Sequence, residues 1–344
     1  MTRPADTLMA QEAAEAPAAA RRQLEACRPA LEDLAARLRR SPPRLAVTCA
    51  RGSSDHASTY GKYLLETRLG VPVASIGPSV VSLYRAPLDL KGALFLAVSQ
   101  SGRSPDLLRL SEMAKSSGAL VVGIVNDETA PLVGLCDLVL PLHAGPERSV
   151  AATKSFLTSA LAFLHLTAHW TGETELLETS RSSPAWLEAA QGCDWGPALA
   201  TLEEAGNLYV VGRGPGMGAA AEMALKFKET CRLHAEAFSA AEVMHGPLEL
   251  VGPGFPVLAL SQDDPTAGPS RGTAAALVRL GARVMATDPL VTGATPLPLP
   301  SGIPAELAPL AAVQAFYGAV PALSLARGLD PDRPANLRKV TETI

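Results

Sequence analysis

Aromatic residues are scarce in this chain of 344 residues, at 4% of the sequence, and charged residues reach only 19%. Hydrophobic residues make up 47%, mostly as Ala, Leu and Val. That composition allows large cores built from small side chains and argues against widespread disorder. The length predicts two domains of ordinary size.

The sequence also lacks a basic block, and its formal net charge is -4. Nothing in it therefore predicts a nucleic-acid partner. No run of about 18 consecutive apolar residues is present, which argues against a membrane partner. The N-terminus has no apolar signal core, so we expect a cytoplasmic protein.

Paired cysteines are missing as well, because the five cysteines are odd in number, widely spaced and form no C-x-x-C. This pattern predicts neither a disulfide framework nor a structural zinc site. His165 and His169 have the i, i+4 spacing of metal ligands, but no carboxylate or cysteine cluster accompanies them. We expect them to be packing histidines and predict no metal site.

Short apolar runs alternate with helical segments in the first half of the chain. The predicted strands are 45–50, 93–98, 119–125 and 138–140, and the predicted helices include 9–40, 105–116 and an apolar helix over 150–170. This alternation predicts βαβ units and a parallel, doubly wound sheet. Between Trp170 and Gly206 the chain turns polar, and the breakers at 181–184 predict a domain boundary there.

An internal repeat follows that boundary. Arg213-Gly214 follows Arg51-Gly52 by 162 residues, and Ser261-Gln262 follows Ser99-Gln100 by the same 162. Because both pairs of motifs are separated by the same number of residues, the sequence predicts a duplicated α/β domain. The loop S-Q-S-G-R-S of the first copy becomes S-Q-D-D-P-T in the second, so we expect an anion to bind the first loop and to be repelled by the second.

Two loops of the first copy have the composition of a phosphate site. Small hydroxylic residues follow a strand and precede a helix, where free N–H groups and the helix dipole favour an anion. The candidates are Gly52, Ser53 and Ser54 in one loop and Ser99, Gln100, Ser101 and Ser104 in the other. The alternative is that these residues only form turns and N-caps. No G-x-x-x-x-G-K-[ST] is present, which argues against a nucleoside triphosphate.

A second group of candidates lies after the glycine-rich turn that begins at Gly212. Glu222, Lys226 and Glu229 stand at i, i+4 and i+7 and therefore share one helix face. His245 follows in a turn with glycine and proline. The alternative is a solvated face with ordinary salt bridges. Glu147 and Lys154 either reach a ligand or pair with each other.

The motifs together resemble a known family. They are Ser99-Gln100-Ser101-Gly102, Ala144-Gly145-Pro146-Glu147, Val150-Ala151-Ala152-Thr153-Lys154, Ala224-Leu225-Lys226-Phe227-Lys228-Glu229, His234-Ala235-Glu236-Ala237, His245-Gly246-Pro247 and the C-terminal 332–339. The chain resembles the sugar isomerase (SIS) family from about residue 9 to its end. It is most similar to the isomerase half of glucosamine-fructose-6-phosphate aminotransferase and to SIS-type glucosamine-6-phosphate deaminase.

The resemblance implies a fold of two tandem SIS domains, each a doubly wound five-stranded parallel sheet flanked by helices, in a homodimer. The implied domains are 26–170 and 197–329, with a tail at 330–344 that closes over the active site. Ser54, Ser99, Gln100, Ser101 and Ser104 would hold the sugar phosphate, and Gly52, Ser53, Val150 and Ala152 would complete the substrate site. Glu229 would move the proton between C1 and C2, supported by Lys226. His245 would assist ring opening, and Lys339 would lie at the C1/C2 end.

The implied activity is conversion of glucosamine 6-phosphate to fructose 6-phosphate and ammonia. A carboxylate suits the removal of a proton next to a carbonyl or imine, and this chemistry needs no cofactor. Two alternatives stay open, an isomerase or synthase acting on another phosphosugar and a non-catalytic phosphosugar-binding regulator.

Three positions depart from the family pattern. Ala152 replaces a serine near the sugar, and Arg103 replaces a common acidic residue. Thr2 stands where the aminotransferases have a cysteine, so we expect this chain alone not to hydrolyse glutamine.

Overall fold

The computed structural model describes residues 3–339, so Thr2 and the end of the predicted tail, 340–344, lie outside the described residues. The chain forms two compact units. The first-sheet unit consists of Ala18–Glu147 and Lys154–Arg181, and the second-sheet unit of residues 3–17, Arg148–Thr153 and Ser182–Lys339. The SIS domain limits 26–170 and 197–329 stay a prediction.

Ten strands and thirteen α-helices make up the described chain. The strands are β1 (Ala46–Cys49), β2 (Val73–Ser75), β3 (Leu94–Ser99), β4 (Leu120–Val125), β5 (Leu138–Pro141), β6 (Asn207–Gly212), β7 (His234–Ser239), β8 (Pro256–Ala259), β9 (Arg283–Ala286) and β10 (Thr295–Pro296). The helices are α1 (Leu8–Ala14), α2 (Ala16–Ala26), α3 (Arg28–Arg40), α4 (Ser53–Leu69), α5 (Ser79–Ser82), α6 (Pro105–Ser116), α7 (Pro131–Leu135), α8 (Lys154–Thr171), α9 (Thr174–Ala190), α10 (Gly196–Ala200), α11 (Gly216–Cys231), α12 (Ala267–Arg279) and α13 (Ala308–Ala326).

The first sheet is parallel throughout, in the order β2-β1-β3-β4-β5. Both of its faces are covered, as the burial along β3 makes clear. Leu94, Leu96 and Val98 pack into a core shared with α3, α4 and α8. Phe95 and Ala97 face the opposite way and pack with α6 and α7. Helices on both faces explain why the strands are apolar runs rather than alternating patterns.

The second sheet is also parallel, in the order β10-β9-β8-β6-β7. If β6 to β10 are numbered 1 to 5, this order read from its other edge is 2-1-3-4-5, which is the strand order of the first sheet. The predicted duplication is therefore confirmed. The backbone repeats as well, because Gly52 and Gly214, 162 residues apart, have φ angles of 54° and 57°. Only glycine adopts such angles at low cost. Two five-stranded parallel sheets flanked by helices confirm the predicted fold class.

Two local predictions were wrong. The helix predicted over 150–170 begins at Lys154, because the amides of Arg148, Ser149 and Val150 are bonded to groups outside a helix. Residues 181–184, predicted to interrupt the helical pattern, do not do so, since α9 runs through Pro184; the domain boundary predicted between Trp170 and Gly206 stays a prediction. Ser180 and Ser183 are fully buried there, and packing overrides local propensity.

One helix in the described chain, α13, is long and apolar enough to cross a membrane. Most of it is buried inside the protein, as expected for the core helix of a folded domain. Length and composition alone are weak evidence for a span when the side chains already pack in a core.

Candidate active site

The two predicted phosphate loops follow neighbouring strands of the first sheet. β1 pairs with β3, and Cys49 lies opposite Ala97 near their carboxyl ends. From these ends the chain leaves for α4 on one face and α6 on the other. The loops therefore flank the point where the sheet changes winding direction, which is where ligands bind in open α/β sheets.

The loop after β3 is a tight turn. The hydroxyl oxygen of Ser99 accepts a hydrogen bond from the amide of Gly102 at 3.0 Å. Gly102 has a φ of 63°, and a Cβ atom there would lie 2.7 Å from the Cβ of Ala130. Only glycine fits this position. Ser99 is buried, whereas Gln100, Ser101 and Ser104 are half-buried at the surface of the loop.

The loop after β1 begins with Gly52, whose positive φ lets α4 start at Ser53. Ser53 and Ser54 are half-buried in the first turn of α4, where backbone N–H groups have no partner within the helix.

An ion pair that sequence reasoning missed joins the two loops. The Nε and Nη2 atoms of Arg51 lie 2.9 and 2.5 Å from one carboxylate oxygen of Asp106. The Asp106 side chain is fully buried, while that of Arg51 is 52% exposed. The guanidinium group is thus fixed at the start of α6. No local pattern links two residues 55 positions apart.

Arg103, one of the departures from the family pattern, is also held by an acid. Its Nη2 atom lies 2.8 Å from Asp127. The hydroxyl of Thr129 and the Arg103 guanidinium lower the pKa of Asp127 to about 2. The positive charge that replaces the usual acidic residue is therefore paired with a carboxylate of the same unit.

The equivalent loop of the second sheet is filled by its own side chains. Gln262 is buried, and its Nε2 atom donates to the carbonyl of Arg213, to Asp264 and to Thr266 at 2.9 to 3.0 Å. A Cβ atom on Gly216 would lie 2.8 Å from Gln262. The position that corresponds to the phosphate loop thus holds an amide and a carboxylate.

The predicted acid-base residues lie together on α11 of the second-sheet unit. The Nζ atom of Lys226 is 2.5 Å from Glu229 and 3.3 Å from Glu222. Glu222 and Lys226 are buried, and Glu229 is 20% exposed. The hydroxyl of Tyr317 on α13, another residue that sequence reasoning missed, donates to Glu222 at 2.7 Å. The alternative of a solvated face is therefore wrong.

The two neighbouring carboxylates determine the charge state of Lys226. Desolvation alone would lower the pKa of Lys226, but the charges of Glu222 and Glu229 and their hydrogen bonds raise it above its ordinary value of 10.5. Lys226 is therefore an ammonium ion at neutral pH and cannot act as a base. It can hold the Glu229 carboxylate in place and stabilise negative charge near it.

The remaining predicted site residues lie in the same unit. His245 is exposed and precedes Gly246, which has a φ of 125°. Val150 and Ala152 are half-buried in the irregular segment Arg148–Thr153, and Lys339, also half-buried, ends the described chain. The buried hydroxyl of Ser149 beside them has no hydrogen-bond partner among residues 3–339.

Other candidates have local structural roles. The carboxylate of Glu147 accepts from the amide and hydroxyl of Ser155 at 3.2 and 2.6 Å, which caps α8. His165 lies in the core, where Nδ1 is 2.7 Å from Ser180, and burial lowers its pKa to about 3. The packing role predicted for this histidine is confirmed. Across the described residues, no group of three or more His, Cys, Asp or Glu side chains could hold a metal ion.

Comparison with known proteins identifies a matching family model and similar curated proteins. The SIS domain model matches residues 41–169 and 201–286. The glutamine–fructose-6-phosphate aminotransferase (isomerizing) of Aeropyrum pernix is 34% identical over 315 residues, which covers 84% of this chain and 49% of that protein. The chain thus spans about half the length of the curated relatives it matches.

Solved structures match over nearly the whole chain. A candidate phosphosugar isomerase from Silicibacter pomeroyi DSS-3 is 44% identical, with a TM-score of 0.90 over 95% of this chain and 100% of that one. The glucosamine-6-phosphate deaminase of Thermotoga maritima is 22% identical, with a TM-score of 0.72 over 94% of this chain and 100% of that one, and shares the fold. Because the family model covers more than half of the sequence and the 44% identical structure covers almost all of it, the chain belongs to the SIS domain family.

Proposed function

We propose that this protein acts on a phosphorylated amino sugar and converts glucosamine 6-phosphate to fructose 6-phosphate and ammonia. The observation that carries the proposal is the Lys226–Glu229 pair. A partly exposed carboxylate is held at 2.5 Å by a buried ammonium ion whose charge is fixed. This arrangement suits a base that must shuttle a proton without moving.

The chemistry assigns a task to each group. In the open-chain sugar, Glu229 removes the proton from C2 and delivers it to C1, while the C2 amine loses one proton and O1 gains one, so that the C1 aldehyde becomes an alcohol and C2 becomes an imine. Water then adds to C2 and ammonia leaves, which gives the ketose phosphate. Lys226 stabilises the negative charge that develops during proton transfer. We assign ring opening to His245 and the C1/C2 end of the substrate to Lys339.

Phosphate binding is assigned to the loops of the first-sheet unit. The hydroxyls of Ser99, Ser101 and Ser104, the side-chain amide of Gln100 and the N-terminal turn of α4 lie at the winding switch of that sheet, and we assign the phosphate to them. The Arg51–Asp106 pair joins these two loops. The second loop holds Asp264 and its own amide hydrogen bonds, so we propose one phosphate site per chain.

An ammonia-release assay over a panel of amino-sugar phosphates tests the proposal. Glucosamine 6-phosphate should release ammonia with formation of fructose 6-phosphate, and Glu229→Gln should slow release by on the order of 10² to 10⁴-fold. Lys228→Gln is a matched control, because Lys228 is exposed on the same helix. If none of the amino-sugar phosphates released ammonia, the proposed deaminase activity would be refuted.

A second candidate is aldose-ketose isomerisation of a phosphosugar without an amine. It is favoured by the 44% identical structure of a candidate phosphosugar isomerase and by Ala152, which removes a hydroxyl from the family pattern. Interconversion of aldose and ketose phosphates without ammonia release would support it. Binding of phosphosugars without any turnover would instead support a regulator.

We further propose a cytoplasmic homodimer, as the family resemblance implies. Light scattering on the purified protein should give twice the chain mass of 35.7 kDa. A monomer that retains full activity would contradict the dimer.

A further inference from the structure

Glu12 is a buried carboxylate near the start of the chain. It lies on α1 with 5% of its surface exposed. Its oxygens accept hydrogen bonds from the backbone amides of Arg148 and Ser149, the latter at 3.2 Å. A buried carboxylate is costly without such partners, so Glu12 and the segment Arg148–Thr153 depend on each other.

Asp332 contacts the same segment from the C-terminal side. Its carboxylate oxygens accept from the amides of Leu8 and Met9, at 2.7 and 2.8 Å, and so cap the first turn of α1. Its backbone carbonyl accepts from the amide of Val150 at 3.4 Å. One residue therefore contacts both α1 and the segment.

These contacts determine the shape of a segment that has no regular structure. The amides of Arg148, Ser149 and Val150 are bonded, in sequence order, to Glu12, Glu12 and Asp332. Val150 and Ala152 remain half-buried, while the residues between and beside them are buried. The Glu12 carboxylate thus holds two successive amides, and the backbone carbonyl of Asp332, 320 positions away in the sequence, holds the third.

We infer that Glu12 and Asp332 are positioning residues, which hold Val150 and Ala152 in the geometry that substrate binding requires. The inference rests on the proposed function, because it takes these two residues to contact the phosphosugar. Asp332 also lies near the start of the tail that leads to Lys339, and its carboxylate attaches that part of the tail to α1. Glu12 and Asp332 act through the backbone and do not themselves touch the substrate.

A positioning role predicts a kinetic effect larger than the loss of stability. Glu12→Gln and Asp332→Asn keep side-chain size but place an NH₂ group against backbone amides that donate. Each should lower kcat/KM for the phosphosugar by on the order of 10-fold to 10²-fold, the scale of a small misplacement of a binding group. The loss should appear mainly as a higher KM.

The double variant tests whether both residues act through one segment. Its kcat/KM should be no lower than that of the worse single variant, since Glu12 binds the segment directly and the Asp332 side chain caps α1, which carries Glu12. The matched control is Glu15→Gln, the same chemical change at an exposed position at the end of α1, and it should leave kcat/KM unchanged. Fully multiplicative losses would overturn a shared role.

Hydrogen exchange separates this inference from the proposed function. Amides in peptides that cover 148–153 should exchange faster in Glu12→Gln and Asp332→Asn than in the wild type and the control. If the wild type turns over no phosphosugar, the proposed function fails. The exchange data still test whether Glu12 and Asp332 hold the segment Arg148–Thr153. Unchanged exchange in both variants would overturn the inference. It would also be overturned if both variants had a lower melting temperature but the kcat/KM of the wild type.

Discussion

Replacing Lys226 with methionine removes a buried cation that lies between two carboxylates. Methionine has a similar length and no charge, so the change deletes the 2.5 Å contact to Glu229 and the 3.3 Å contact to Glu222 while filling most of the space. Glu222 has no exposed surface and would keep its hydrogen bond from Tyr317. Its charge would then be buried without a cation beside it.

The magnitude follows from that burial. Removing one partner of a buried ion pair costs about 3 to 5 kcal/mol, because the other charge stays desolvated. Glu229 is 20% exposed and can recover hydration, so the lower end, about 3 kcal/mol, applies. For a folded unit of this size that loss lowers the melting temperature by roughly 6 to 12 °C.

Thermal melts at pH 7 measure this loss, with Lys228→Met as the control. Lys228 is exposed on the same helix, and its replacement should change stability by at most about 0.5 kcal/mol. Lys226→Met combined with Glu222→Gln should recover part of the stability, because the buried charge is gone. A Lys226→Met protein that melts within about 2 °C of the wild type would refute the reasoning.

The same pair predicts a pH dependence. The folded-state pKa of Lys226 is raised above 10.5, so its contribution to the free energy of unfolding is complete below pH 10.5 and is lost as pH rises through the folded-state pKa. The stability gap between the wild type and Lys226→Met should therefore narrow above pH 10.5. A gap that widens there would contradict the raised pKa.

Three further outcomes are expected. Glu229→Gln should lower kcat by on the order of 10² to 10⁴-fold with phosphosugar affinity kept in calorimetry, and an active variant would exclude Glu229 as the base. Ser101→Asp should abolish phosphosugar binding without changing the melting temperature, and wild-type protein should bind one phosphosugar per chain; a stoichiometry of two would contradict the closed second loop. Truncation after Arg333, which keeps the Asp332 contacts, should preserve the melting temperature and lower turnover by on the order of 10²-fold through loss of Lys339, whereas truncation before Asp330 should also destabilise α1.

Features that depend on local spacing were predictable from the sequence. The 162-residue repeat predicted a duplicated unit, and the i, i+4, i+7 spacing placed Glu222, Lys226 and Glu229 on one face of α11. The short edge strands were not identified, because β2 has three residues and β10 has two, too few to show a hydrophobic period.

Contacts between distant parts of the chain could not be predicted. Glu12 and Arg148 are 136 residues apart, and nothing near either one indicates that a backbone amide meets a carboxylate. The Asp-rich second loop was expected to repel an anion by charge. In the structure the Asp264 carboxylate also accepts hydrogen bonds from Gln262 and Thr266. The loop is therefore occupied by its own hydrogen bonds in addition to carrying negative charge.

The most direct test of the proposed chemistry follows a single hydrogen. Glucosamine 6-phosphate deuterated at C2 should react with a primary isotope effect, and NMR of the fructose 6-phosphate should find the label at C1 or in solvent. Glu229→Gln should leave most of the label at C2 and release little ammonia. Ammonia release without an isotope effect, or with full activity in Glu229→Gln, would contradict proton transfer by the carboxylate that Lys226 holds.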